Sequence, residues 1–68
     1  MLGVANSTER VNAERRLLYI RYTVRTKQWW RTRQALHEAT GAEDWRVLGY
    51  PTEADYRSAA LRTAPAPA

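Results

Sequence analysis

The sequence predicts a small α+β domain, and three observations predict it. From Leu18 to Arg25 the chain alternates strictly, with Leu18, Ile20, Tyr22 and Val24 on one side and Tyr19, Arg21, Thr23 and Arg25 on the other. From Lys27 to Thr40 it is filled with Gln, Arg, Ala, Leu and Glu, and Gly41 follows. From Trp45 to Tyr50 a shorter alternation returns, bounded by Gly49 and Pro51. The expected order is a short N-terminal helix, a strand, a helix, a short strand and a C-terminal helix.

The first element is a short helix from Ser7 to about Arg16, after a small, polar, unordered start. Asn6 followed by Glu9 matches a capping box loosely, with Asn in place of Ser or Thr. Next comes the alternating run. A period of two is that of a half-buried strand, and β-branched and aromatic side chains suit a pleated surface. The same stretch also carries Ala13, Leu17, Ile20 and Val24 at spacings of three and four, so an all-α helical hairpin is the alternative fold.

Thr26 is placed to cap the second helix, whose residues hold helix well. Gly41 is expected just past its end, in the left-handed conformation that lets the chain turn. On this helix Trp29, Thr32, Leu36 and Ala39 share a stripe with Ala35 beside it. Trp30 lies about 100° round the axis from Trp29, so the two rings cannot face one core. In the second strand Trp45 and Val47 share one face, and Arg46, Leu48 and Tyr50 the other. Two strands are too few to be stable alone, which calls for pairing across a dimer or onto a partner. Thr52 caps the last helix, with Glu53 and Asp55 in its first turn, where negative charge meets the positive helix end. Tyr56, Ala59 and Ala60 are its packing side. Residues 1–63 form one domain on this reading, and residues 64–68, alternating Ala and Pro, form a flexible tail.

Strand, helix and Thr40-Gly41 in that order resemble the first half of a ribbon-helix-helix regulator, over under half the chain. The likeness is architectural. Such proteins continue at once into a second amphipathic helix, whereas Gly49 and Pro51 interrupt that position here.

Length and composition narrow the function. A chain of 68 residues buries only a small core, and without cysteine it has no disulfide or thiolate metal site to reinforce it. Oligomerisation is the remaining common support, so a homodimer or a tight partner is expected. No apolar run approaches the ~20 residues of a membrane span, and the first residues lack the form of a secretory signal, so the expected location is cytoplasmic and no membrane partner is expected. Charge is uneven: residues 1–34 hold eight basic against two acidic side chains, and residues 35–68 hold three against five. Ten of the eleven cations are arginine, whose planar set of donors suits phosphate or carboxylate.

Two binding constellations follow. Arg21, Thr23 and Arg25 on the strand face, continued by Lys27, Arg31 and Arg33, are expected to bind DNA or RNA, with Arg21 or Thr23 reaching bases. The bland reading of the same residues is a solvated strand face protected by charge against aggregation. Trp30, Arg33 and His37 at helical spacings, with Tyr50, form the second constellation, which would dock on an acidic protein surface. Its bland reading has Trp30 folded over the sheet rim beneath Arg33. If Trp30 is exposed, the protein partner becomes the better reading. His37 is the only histidine and has neither a ligand set for zinc nor a paired nucleophile. No catalytic residue, metal or cofactor is expected. The first functional expectation is a nucleic-acid-binding regulator. The alternative is a small inhibitor or adaptor of the type that mobile elements encode.

Overall fold

The computed structural model describes residues 7–62, so the expectations for the capping residue Asn6 and the Ala/Pro tail lie outside the described residues. Four helices follow one another: α1 (Ser7–Arg25), α2 (Trp29–Gly41), α3 (Asp44–Val47) and α4 (Glu53–Leu61). No strand occurs among the described residues, which overturns the α+β expectation. The alternative of an all-α hairpin comes closer, because α1 and α2 do form a helical hairpin, against which α3 and α4 then pack.

The expected strand at 18–25 is the C-terminal half of α1. Both periods are present in these residues, and burial chose between them. As a helix the segment turns Ala13, Ile20, Thr23 and Val24 to one side, where all four are buried, and Leu17 packs against that cluster. As a strand it would bury Tyr22 and expose Thr23. Thr23 is fully buried because its hydroxyl is satisfied locally, donating to the Ile20 carbonyl at 2.8 Å, a bond that only a helical turn offers.

Thr26 does not cap α2. It closes α1, its backbone N–H and its Oγ1 both donating to the Tyr22 carbonyl, at 3.0 and 2.9 Å. The chain then reverses over Thr26 to Gln28, with Lys27 left-handed at φ 60°, and α2 starts at Trp29 without a side-chain cap. Gly41 remains within α2, and the left-handed residue that ends this stretch is Glu43, at φ 56°. The expected second strand is also corrected. Asp44–Val47 is one helical turn, its Trp45 and Leu48 pack on the core, and Gly49 at φ 88° reverses the chain where a side chain would be strained. α4 begins as expected. The Asp55 N–H donates to Thr52 Oγ1 at 3.1 Å, and Tyr56 and Ala60 are buried.

The core is small: Ile20, Val24, Leu36 and Tyr56, spaced by Ala35, Ala39 and Ala60. The alanines let helices approach closely, and the closest side-chain contact joins α1 to α2. Thr23 Oγ1 and Thr32 Oγ1 lie 2.6 Å apart, both buried. A hydroxyl has one hydrogen, so when Thr23 donates to Ile20, Thr32 donates to Thr23. Tyr50 stands edge-on to Tyr56, ring centroids 5.6 Å apart, and extends the core towards α4. Burial pushes the Tyr56 phenol up to about 12.

One ion pair ties α1 to α3. Arg16 Nη1 donates to both carboxylate oxygens of Asp44, at 3.0 and 2.8 Å, with the Asp44 side chain 3% and the Arg16 side chain 24% exposed. Burial raises the Asp44 carboxyl above its usual value, against the opposing pull of Arg16. A folded-state pKa above the unfolded one means that ionisation works against folding. Stability from this group is therefore full below the ordinary carboxylate range and is lost as pH rises through the raised value. The pair fixes where α3 sits more than it stabilises the fold.

Two outcomes test this packing. R16A strands a buried carboxylate and should cost about 3 kcal/mol at neutral pH, with the loss shrinking as acid protonates Asp44; urea unfolding across pH measures it. T23A and T32A should each lose about 1 kcal/mol or more, and the double variant less than the sum of the two, because both substitutions remove the same contact.

Candidate functional site

α2 turns Thr32, Ala35, Leu36 and Ala39 inward, which sends the opposite side of the helix, carrying Trp30, Gln34 and His37, out to solvent. Trp30 is 66% exposed. Trp29, expected on the packing stripe, is 59% exposed at its rim. Both rings belong to the first turn of α2, immediately after the chain reversal. Only the third tryptophan, Trp45, is half-buried, with the Arg46 guanidinium 5.0 Å from its ring centre.

Two shallow grooves flank the ridge made by Arg33 and His37. One, of about 340 Å³, runs between α2 and α4 and is lined by Trp29, Thr32, Arg33, Leu36, His37 and Arg57. The other, of about 300 Å³, follows the outer side of α2 along Trp30, Gln34 and Glu38. Arg57 is held in place at the first groove. Its Nε donates to Glu53 Oε2 at 3.1 Å, and the same oxygen accepts from Thr40 Oγ1 at 2.7 Å. These two donors, Thr40 first, hold the Glu53 carboxyl below its usual value. Arg33 has no ion pair among the described residues, so its charge is available to a ligand. The site thus offers two indole rings, one free guanidinium, one tethered guanidinium and an imidazole. These groups bind by apolar contact, stacking and charge.

The sequence-predicted residues divide. Trp30, Arg33 and His37 come together along the outer groove. Tyr50 does not join them, because its ring is half-buried against Tyr56. In the nucleic-acid set, Thr23 is withdrawn into the core and cannot reach a base. Arg21, Arg25, Lys27, Arg31 and Arg33 are exposed, Arg21 and Arg25 on one side of α1 and the others on the turn and on α2. Arg21 leans to α4, its Nε 3.4 Å from the Ala59 carbonyl, while Arg31 turns to the Tyr19 hydroxyl at 3.5 Å. On a helix Arg31 and Arg33 point about 160° apart, so the ribbon of cations dissolves with the strand. Sequence reasoning missed Trp29, Leu36 and Arg57 as neighbours of this site. The spacing of Trp29 and Leu36 placed both on the core stripe, and nothing in the sequence linked Arg57 to α2.

Among the described residues no cluster of three or more His, Asp or Glu side chains could hold a metal ion, and no helix is long and apolar enough to cross a membrane. Compared with models of protein families, with curated proteins and with solved structures, the chain shows no match in any of the three.

If the tryptophans serve binding and not packing, W29A and W30A should each leave stability within about 0.5 kcal/mol of the parent. Thermal melting followed by circular dichroism measures this. A loss approaching that of a core truncation, about 3 kcal/mol, would place the ring in the fold.

Proposed function

We propose that this chain is a small, non-catalytic inhibitor or adaptor, working in the cytoplasm, that docks on an acidic protein surface through the outer side of α2 and the α2–α4 groove. The observation that carries the reading is the adjacent pair Trp29 and Trp30, both more than half exposed and bordered by Arg33, His37 and Arg57. Leaving two indoles in water is unfavourable, and burying either against a partner recovers the transfer free energy of a large aromatic side chain. Tryptophan and arginine are the residues in which interface energy concentrates. Charge names the partner's chemistry: the chain is +4, and the free guanidinium at the ridge calls for carboxylates opposite.

The reading is tested by affinity capture with the full chain after nuclease treatment. It predicts one stoichiometric protein with an acidic surface, bound about 30-fold more weakly by W30A, which corresponds to about 2 kcal/mol at a central anchor. R33E should weaken it further by opposing the carboxylates. Capture unaffected by both variants would overturn the reading. A mobility shift on mixed DNA and RNA that collapses between low and moderate salt would put a nucleic acid in the partner's place.

A further inference from the structure

We propose that α1 pairs antiparallel with α1 of a second copy of this chain, along the side of the helix that faces away from the core. With Ala13, Ile20, Thr23 and Val24 turned inward, the opposite side presents Val11, Arg15, Leu18, Tyr22 and Arg25. Their spacings of four, three, four and three residues are those of a two-helix seam. The apolar members are open to solvent, Leu18 at 62% and Tyr22 at 48%, with Val11 exposed beside them. A 19-residue helix that is apolar on two opposite sides has one side unpartnered in the monomer.

Charge selects the occupant and its direction. A parallel second copy would set Arg15 against Arg15 and Arg25 against Arg25, which repel. An antiparallel copy, related by a two-fold axis, sets each flank of the seam against the same flank running the other way. Centred near Leu17, this pairing brings Glu14 beside Arg21 of the second copy on one flank. On the other flank it brings Arg15 beside the ring of Tyr19 of the second copy, where a guanidinium is attracted to the aromatic face. Symmetry makes each contact twice. Val11 comes opposite Tyr22 of the second copy. There the surface already holds an open groove of about 300 Å³, lined by Ser7, Thr8, Val11, Asn12 and Arg15, with room for a tyrosine side chain. Glu14 keeps capacity for this, since its contact with Arg10 is long, at 3.7 Å, and exposed. The α2 docking side plays no part, so the dimer and the proposed function stand or fall separately.

Sedimentation equilibrium of the full chain tests the pairing. A single helix pair is a small interface, so the parent should dimerise with a Kd of about 1–100 μM. L18E, which buries a carboxylate at the seam, should raise Kd by about 100-fold or more. E14R should raise it about tenfold, and the charge swap E14R/R21E should restore it to within about threefold of the parent, with helix content by circular dichroism unchanged. A parent that stays monomeric up to about 1 mM overturns the proposal. So does a dimer indifferent to L18E, and so does a charge swap that fails to restore what E14R removed.

Discussion

The contact between Thr23 and Thr32 sets the geometry on which the rest of the molecule depends. Two hydroxyl oxygens 2.6 Å apart in a buried position force α1 and α2 to approach at that level, and only small neighbours allow it. Ala35 and Ala39 supply those neighbours one and two turns further along α2. Once this crossing is fixed, the inward side of α2 is fixed, and so is its outward side. Trp30 is carried to the surface because Thr32, two residues on, is committed to the core.

A core this small leaves much apolar surface outside, and where it is left is informative. Val11, Leu18 and Tyr22 lie along α1, and Trp29 and Trp30 lie at the start of α2, on two separate surfaces. Two polar linkages, one buried and one at the surface, serve position. Arg16 and Asp44 hold α3 to α1, although burial makes the carboxylate reluctant to ionise. Thr40, Glu53 and Arg57 link the end of α2 to α4 and set one guanidinium at the rim of the groove. Both linkages join elements far apart in sequence by charge-assisted hydrogen bonds, where the apolar contacts are few.

The correction at 18–25 has a general physical content. A stretch in which most positions are apolar or β-branched can satisfy two periods at once, and β propensity is a statement about fitting a half-buried surface, not about the backbone itself. Here there was no second strand to complete such a surface. Trp45 to Tyr50 contains Gly49, which takes a left-handed conformation, and the single turn before it sends Trp45 and Leu48 to the same core. Without a partner strand the backbone groups of 18–25 find their partners only within a helix. The charged ribbon expected along Arg21, Thr23 and Arg25 failed for the same reason, since a helix keeps Arg21 and Arg25 on one exposed side and turns Thr23, about 160° away from each, inside.

The sequence by itself determined the local features whose causes lie within a few residues: the helix over α2, the Thr52 cap with its acidic first turn, the inward stripe of Thr32, Ala35, Leu36 and Ala39, and the impossibility of burying Trp29 and Trp30 together. Each follows from side-chain spacing or from one short-range hydrogen bond. The tertiary structure decided what depends on elements distant in sequence: that 18–25 coils, that Trp29 joins Trp30 outside, and that Arg57 comes to stand beside Leu36. Those outcomes turn on which surfaces meet and exclude water, and one chain position cannot record its neighbours until the fold has brought them together.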